Sequence, residues 1–307
     1  MNKKIAVLIP CLNEEKTIYK VVKDFKSNIP ESVIYVYDNM SDDNSIYEAK
    51  RAGAIVKTVS QRGKGIVVRR MFREIDADIY ILVDGDSTYN PQDAITLIRV
   101  LLENEADMVI AVRNAVNRKE AFKRFHRFGN WLLTSIVNYL FKANLHDVLS
   151  GYRCLSKRFV KGLQMTSKGF DIEVKMTIKA LENSLEICEI ESAYFARPIG
   201  SSSKLRTFRD GFFILTTIFN LFKNYYPLRF FVFLSIFCFI CGLLIGLPVI
   251  YEYWEMRYVY KVPSAVLASS LEILSMLFFV VGLILDNIKD IRLMHQEFWL
   301  KRYNGKK

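Results

Sequence analysis

The chain has 307 residues, 51% of them hydrophobic, so it can bury a complete α/β domain and still has length for another unit. Its five cysteines show no zinc-ligand spacing with the three histidines, which argues against a structural zinc site and for a reducing compartment. The formal net charge is +11, but basic residues cluster after a long apolar segment near the carboxyl end, so we predict no nucleic-acid partner.

The first 112 residues alternate apolar segments with helical patterns. Strands are predicted at residues 5–10, 33–37, 55–59, 79–83 and 108–112, with helices at 13–27, 45–52, 63–75 and 91–103. Asn13 is the predicted N-cap of the first helix. Such alternation implies right-handed crossovers and a largely parallel sheet, with its ligand site at the carboxyl ends of the strands. The fold class is therefore predicted to be α/β.

Residues 79–86 form an apolar run that ends in two carboxylates, Asp84 and Asp86, separated by Gly85. Both aspartates share one face of an extended strand, and Gly85 allows a sharp turn, so the carboxylates can converge on one ligand. Oxygen ligands of this kind favour Mg²⁺ or Mn²⁺, which also binds substrate phosphates. The alternative is a loop in which Asp86 caps the helix starting near Pro91. Residues 11–14, 38 and 63–65 lie at other predicted strand ends and favour the metal site.

The pattern changes after residue 112. Residues 115–142 are rich in basic and aromatic side chains and predict an amphipathic helix with a cationic face. That face suits lipid headgroups or an anionic substrate, and a merely solvated basic face is the alternative. A helix is predicted at 171–183 and a late strand at 185–190. The loop at 197–204 combines small and cationic residues and suits phosphate groups.

Two apolar segments near the carboxyl end are long enough to cross a bilayer. Residues 230–250 contain no charge and residues 264–285 contain only Glu272, although a buried hairpin of a soluble protein is an alternative. Six basic residues follow the second segment and two lie in the loop between the segments, so the positive-inside rule predicts two cytoplasmic chain ends. No signal peptide precedes Ile5, which agrees with this orientation. Glu272 is costly in hydrocarbon, so we predict that it faces another helix, a partner or the outer interface, and a homo-oligomer is one way to provide this.

These patterns divide the chain into four predicted parts. They are an α/β domain at 1–204, an amphipathic juxtamembrane helix at 205–227, a transmembrane hairpin at 228–286 and a basic cytoplasmic tail at 287–307. The predicted location is the cell (inner) membrane, with the α/β domain on the cytoplasmic side.

Six short motifs lie between residues 5 and 225. They are 9–15 (IPCLNEE), Asp38 with Ser41 and Asp42, 62–65 (RGKG), 84–86 (DGD), Asp147 with 150–153 (SGYR), and 197–204 (RPIGSSSK). In this order and spacing they resemble the polyprenyl-phosphate glycosyltransferases of glycosyltransferase family 2, which are related to dolichyl-phosphate mannose synthase. The two apolar segments are also similar to those of membrane-anchored members.

The resemblance implies a GT-A fold, Rossmann-like with a mostly parallel sheet, that binds a nucleotide-diphosphosugar donor. By this likeness Asp84 and Asp86 would bind Mg²⁺ or Mn²⁺ on the diphosphate, and Asp86 would thereby take part in catalysis. The other implied nucleotide contacts are Pro10, Asn13, Glu14, Asp38, Lys64, Gly85, Arg197 and Lys204.

The implied acceptor is a polyprenyl phosphate, whose phosphate has a second pKa near 6 and is mostly dianionic at neutral pH. It needs cationic positioning more than a general base, and guanidinium groups bind phosphate bidentately. Asp147 is either the catalytic base or a group that orients Arg153 or another acceptor-binding cation. The candidates for acceptor binding are Arg113, Arg124, Arg127, Ser150 and Arg153.

Two positions depart from the family pattern. Thr88 stands where many relatives have glutamine, so a third protein ligand for the metal is not implied. Residues 37–41 lack the commoner aspartate pair.

One rival function is a processive membrane polysaccharide synthase, but residues 296–299 (QEFW) lack the arginine of its Q-x-x-R-W motif. Another is a non-catalytic membrane protein that binds nucleotide-sugars, against which the intact carboxylates argue.

Overall fold

The computed structural model describes residues 3–115, 124–162, 171–197, 216 and 218–304. The chain forms two compact units, one of Met1–Ile214 with Gln296–Lys307 and one of Leu215–His295. The domain boundaries predicted from the sequence stay predictions. Most of the predicted juxtamembrane helix lies outside the described residues, although residues 218–225 are helical.

The first unit is an α/β domain with one seven-stranded sheet. The strands are β1 (Ile5–Cys11), β2 (Val33–Asp38), β3 (Ile55–Thr58), β4 (Ile79–Leu82), β5 (Met108–Ala115), β6 (Arg153–Ser156) and β7 (Ile187–Tyr194). The described helices of this unit are α1 (Ile18–Asn28), α2 (Ser45–Arg51), α3 (Lys64–Glu74), α4 (Asp93–Glu103), α5 (Arg124–Phe141), α6 (Lys157–Gly162) and α7 (Ile172–Glu182).

The strand order is β3-β2-β1-β4-β6-β5-β7. Strands β1 to β4 pair in parallel, as do β5 and β7, which confirms the predicted mostly parallel sheet. The exception is β6, which is antiparallel to both β4 and β5. Because β6 runs backwards, its amino end at Arg153 lies at the same sheet edge as the carboxyl ends of its neighbours.

Both faces of the sheet are covered, and this explains the continuous apolar runs of the central strands. Successive residues of β1 enter opposite cores, as the two-residue period of a strand requires. Val7 packs in the cluster that includes Phe25 of α1, whereas Leu8 packs in the cluster that includes Met71 of α3. All four of these side chains are buried. The buried sheet therefore holds its loops on a rigid base.

The second unit contains two long apolar helices, α8 (Pro227–Met256) and α9 (Val262–Asn304) up to residue 295. Each is long and apolar enough to cross a membrane, and about a sixth of each apolar stretch (17%) is buried in the structure. That exposure disfavours a soluble hairpin of core helices. The helices pack closely where Gly242 faces Glu272: a Cβ at Gly242 would lie 2.5 Å from Glu272 Oε1. Ser235 and Ser275 hydroxyls are also in contact, at 3.1 Å.

Candidate active site

Polar residues collect at the sheet edge where β1, β2 and β4 end. These strands are neighbours in the order β2-β1-β4, and their register pairs Cys11 with Asp38 and Leu8 with Leu82. Their following loops therefore leave the sheet side by side, as predicted for parallel strands. The edge brings together the motifs around Glu14, Asp38 and Asp84.

The two carboxylates sit in the turn after β4. The hydroxyl of Thr17 donates to the carbonyl of Gly85 at 2.7 Å and fixes this turn against the start of α1. A Cβ at Gly85 would lie 3.2 Å from Ile18 and 3.4 Å from Ile9, so glycine permits the close approach. The predicted role of Gly85 as a turn residue agrees with this packing.

Asp84 forms a buried charge cluster with a lysine and a second acid. Lys64, the first residue of α3, places Nζ 2.5 Å from Asp84 Oδ1 and 2.5 Å from Glu173 Oε1 of α7. Burial opposes ionisation of Lys64, but the charges of both acids outweigh it and raise the lysine pKa. Burial would likewise raise the pKa of Asp84, yet the charge and hydrogen bond of Lys64 lower it, helped by Arg197 and Arg113. Both groups of the pair are therefore charged.

Asp86 is almost fully buried and is held on both of its oxygens. Its Oδ1 accepts hydrogen bonds from the Thr88 hydroxyl at 2.6 Å and the Thr88 amide at 3.2 Å. Its Oδ2 lies 2.6 Å from Nη2 of Arg197. Burial would lower the pKa of Arg197, but the charges of Asp86 and Glu14 raise it. Asp86 thus bonds within its own loop and does not cap α4, the alternative considered from the sequence.

The donor set of this edge fits a divalent cation. Asp84 and Asp86 supply carboxylate oxygens. In this structure Lys64 and Arg197 balance the two negative charges. Within the described ranges no third carboxylate, histidine or cysteine joins them to form a metal cluster. Mg²⁺ or Mn²⁺ held here would take its remaining ligands from water and a diphosphate, as is usual for these ions.

A second polar pocket lies at the end of β2. Asp38 is 1% exposed; its Oδ2 accepts from the Ser41 amide at 3.0 Å, whereas its Oδ1 is buried without a hydrogen-bond partner in the structure. Leaving a buried carboxylate oxygen unbonded is unfavourable, so this atom marks a place for a ligand donor. Glu14 is also buried, and Pro10 is partly buried on the adjoining strand.

Asn13 differs from its predicted role. Helix α1 begins at Ile18, so Asn13 is not its N-cap. Instead Asn13 adopts a left-handed backbone with φ of 51°, and its Oδ1 accepts from the Asp42 amide at 2.9 Å. The physical reason is that an asparagine side chain can close a turn as readily as it can cap a helix. Asn13 thereby ties the β1 loop to the β2 loop.

An arginine–aspartate pair lies on the other side of Asp84. Arg113 Nε and Nη2 lie 2.7 and 2.8 Å from the two oxygens of Asp147, a bidentate arrangement. Asn130 of α5 adds a hydrogen bond to Asp147 Oδ1 at 3.1 Å, and the Leu149 amide adds one at 3.2 Å. Burial would raise the pKa of Asp147, but the charge and hydrogen bonds of Arg113 lower it. This Asp147 clamp fixes Arg113 within electrostatic reach of Asp84.

Arg153 and Ser150 lie in the core, away from any acceptor. Arg153 is fully buried, and its guanidinium donates to the carbonyls of Ser150 and Val148 and to the Thr177 hydroxyl at 2.8–2.9 Å. Burial lowers its pKa to about 10. The Ser150 hydroxyl is also buried and donates to the Ala111 carbonyl at 2.6 Å. This placement does not agree with the predicted acceptor contacts of Arg153 and Ser150. Both side chains instead bond to the backbone around the loop that carries Asp147. Asp147 pairs with Arg113 and not with Arg153.

Three predicted residues cannot be placed. Lys204 lies outside the described residues, and Arg124 and Arg127 belong to the first turn of α5, where side chains are not described. Conversely, Glu173 and Asn130 were not predicted. Glu173 falls in the first turn of a predicted helix, and the spacing of the chain gave no signal that it would meet Lys64.

The chain matches the family model of Glycosyl transferase family 2 over residues 6–163. It is 31% identical over 295 residues to the glycosyltransferase AglJ of Haloferax volcanii, covering 95% of each chain. It is 24% identical over 207 residues to a dolichyl-phosphate hexose transferase of the same organism, covering 67% of this chain and 89% of the relative. A solved structure of Mycobacterium tuberculosis glucosyl-3-phosphoglycerate synthase, in complex with Mn²⁺ and UDP-glucose, has a TM-score of 0.59 at 22% identity, over 72% of this chain and 79% of that one. This likeness confirms the predicted GT-A type of fold.

Proposed function

Because this chain belongs to glycosyl transferase family 2, we propose that it transfers a sugar from a nucleotide-diphosphosugar to a polyprenyl phosphate at the cytoplasmic face of a membrane. The name of the dolichyl-phosphate hexose transferase supports this acceptor class. Two helices of spanning length support the membrane location. The product would be a polyprenyl-phospho-sugar, formed with inversion at the anomeric carbon as the family resemblance implies.

The observation that carries the proposal is the Asp147 clamp on Arg113. A bidentate carboxylate holds this guanidinium in one orientation, and a fixed guanidinium is suited to an anionic nucleophile. The acceptor phosphate is mostly dianionic at neutral pH, so it can attack without losing a proton to the protein. What the site must supply is alignment of two anionic substrates that repel each other. Arg113 performs that task for the acceptor.

The donor diphosphate is assigned to the edge between Asp84 and Arg197. Mg²⁺ or Mn²⁺ bound there would neutralise the negative charge on the departing nucleotide. Asp84 and Asp86 would hold the cation. Lys64 and Arg197 pair with these acids in the structure, and once the cation neutralises the acids both side chains could turn to the phosphates. Glu14 and Asp38 are assigned to the nucleoside, for which the unbonded Oδ1 of Asp38 offers an acceptor.

A purified-protein assay tests the proposal against its two rivals. Release of nucleoside diphosphate should occur with a matching donor only when a polyprenyl phosphate is added. A processive synthase would release it while extending a glycan without lipid phosphate, and a binding protein would release none with any acceptor. A screen of nucleotide-sugars in the presence of polyprenyl phosphate would also identify the sugar and the base.

A further inference from the structure

Helix α5 (Arg124–Phe141) presents three aromatic side chains to solvent. Phe128 is 58% exposed, Trp131 is 62% exposed and Tyr139 is 77% exposed. Offsets of three and eight residues place all three on one helix face. The rings of Phe128 and Trp131 lie beside each other, with centroids 5.8 Å apart. A row of exposed aromatic side chains along one helix face indicates a binding face.

The opposite face of α5 is fixed to the loop that carries Asp147. Val137 is fully buried on this face, and Asn138, on the flank of the helix, exchanges hydrogen bonds of 2.8 and 3.0 Å with the backbone of Leu145. Asn130 donates to Asp147 itself at 3.1 Å. A helix with its side chains is about 10–12 Å across, so the aromatic face and the Asp147 clamp are separated by about one helix diameter. Whatever binds the aromatic face is therefore brought close to Arg113.

The charge of the helix favours an anionic partner. Its first turn carries Arg124 and Arg127, Lys142 follows its last residue, and no acidic residue occurs between 124 and 142. Tryptophan and tyrosine with basic residues on one helix are typical of segments that lie in the headgroup region of a bilayer. Anionic lipid would supply both the negative charge and the apolar depth that this face needs.

We propose that the exposed face of α5, formed by Phe128, Trp131 and Tyr139, docks on an anionic lipid surface. The rings enter the headgroup region and set the height at which a lipid-borne phosphate meets Arg113. The delivery of the acceptor rests on the proposed function, whereas the docking itself does not. This face belongs to the first unit and is separate in the sequence from the two apolar helices.

Depth-dependent fluorescence quenching tests the docking without any turnover. The chain has three tryptophans, at positions 131, 254 and 299, so W254F with W299F leaves Trp131 as the single reporter. The full-length variant is placed in nanodiscs of phosphatidylethanolamine and phosphatidylglycerol. Trp131 emission should shift to the blue, lose accessibility to acrylamide and be quenched by lipids brominated near the headgroup end of the acyl chain.

A matched control moves the reporter to an equally exposed aromatic position elsewhere in the first unit. Tyr47 of α2 is 63% exposed, so Y47W in a W131F, W254F and W299F background should stay accessible to acrylamide and show no lipid quenching. Equal behaviour of the two reporters would overturn the proposal. So would a Trp131 shielded from acrylamide but unaffected by brominated lipid, because a second copy or another protein would then cover the face.

A functional comparison separates this inference from the assigned reaction. Phe128→Ser, Trp131→Ser and Tyr139→Ser combined should raise the KM for bilayer-embedded polyprenyl phosphate roughly tenfold and leave the donor KM unchanged. A short-chain, water-soluble acceptor should show little difference between variant and wild type. If Trp131 is quenched by lipid but no lipid phosphate is ever glycosylated, the docking stands and the proposed function fails. An unchanged KM for embedded acceptor would contradict the delivery role.

Discussion

Asp86 combines near-complete burial with full hydrogen bonding, so its charge has to be balanced in every state of the site. Arg197 provides that balance in the structure, and the bound cation would share it during turnover. We expect Asp86→Ala to reduce the turnover rate by at least roughly a hundredfold, because it removes one of two protein ligands of the metal. A chelator should abolish wild-type activity, and added Mg²⁺ or Mn²⁺ should restore it.

The Asp86 result needs a folding control. Asp76→Ala removes an exposed aspartate that pairs with Lys157 of the same unit, and its side chain is 68% exposed. That variant should retain wild-type rates, since exposed ion pairs contribute little. Thermal unfolding of both variants should remain cooperative. Wild-type turnover by Asp86→Ala, or insensitivity to the chelator, would remove the basis for the metal assignment.

Asp147 is better suited to orient Arg113 than to accept a proton. A general base works best with a pKa near the operating pH, but Arg113 and Asn130 hold the pKa of Asp147 below its usual range. A carboxyl with a lowered pKa stays ionised until the pH falls through that value, so Asp147 is charged across the neutral range. We expect Asp147→Asn to reduce the rate by a similar factor, about 10- to 100-fold, from pH 6 to pH 9.

A double-mutant cycle with Arg113 distinguishes the two roles of Asp147. If Asp147 acts through Arg113, then Asp147→Asn combined with Arg113→Ala should cost little more than Arg113→Ala alone. The KM for polyprenyl phosphate should rise in all three variants. A catalytic base predicts otherwise: the loss would be confined to pH values below about 6, where acceptor monoanion accumulates and needs deprotonation. Additive losses of rate in the double variant would also indicate that Asp147 acts as a base and not through Arg113.

Helix α7 couples the core to the donor edge through two of its side chains. Thr177 accepts a hydrogen bond from buried Arg153, and Glu173, one turn earlier, pairs with Lys64. When a cation occupies Asp84, Lys64 has to release that carboxylate, and Glu173 keeps the lysine charge paired. Without Glu173, Lys64 would compete with the cation for Asp84. We therefore expect Glu173→Gln to raise the metal concentration for half-maximal activity by roughly tenfold. Isothermal titration with metal and nucleoside diphosphate provides a second readout, independent of turnover.

Glu182→Gln is the matched control for this prediction. Glu182 lies on the same helix and pairs with Lys179, at the end of α7 that is far from Lys64. The Glu182→Gln variant should leave the metal requirement unchanged. Its thermal unfolding measures any loss of stability that comes from changing an acid on α7. Equal effects of the two substitutions would show that Glu173 only stabilises the helix.

The order of the elements could be predicted because the central strands are apolar on both faces and end in polar loops. The antiparallel direction of β6 could not, since a strand of four mostly buried residues carries no sequence signal for its direction. The start of α1 was misplaced because asparagine serves turns and helix caps alike. The sequence predicts Arg153 as an acceptor contact because guanidinium binds phosphate, and its burial depends on loop carbonyls and Thr177, which the sequence does not reveal as its partners. Asp84, Asp86 and Lys64 meet as the strand ends predict.

The whole molecule joins an α/β domain with many basic residues to a hairpin of spanning length, and charge decides which way such a hairpin inserts. Positions 289, 292, 301, 302, 306 and 307 are basic after the second apolar segment, against 257 and 261 between the helices. We expect a green fluorescent protein fused after Lys307 to fluoresce in the cytoplasm. Alkaline phosphatase fused at the same point should be inactive.

The loop between the helices gives the complementary measurement. Alkaline phosphatase inserted between α8 and α9, near Tyr258, should be active, because a hairpin that crosses twice must expose its turn on the far side. Glu272 does not prevent this insertion: a central acidic residue costs about 2.5–3.5 kcal/mol, which the apolar remainder of the segment offsets. Phosphatase activity after Lys307, together with no activity at the loop, would show the opposite topology. The domain would then face away from cytoplasmic nucleotide-sugars, and the proposed reaction could not take place there.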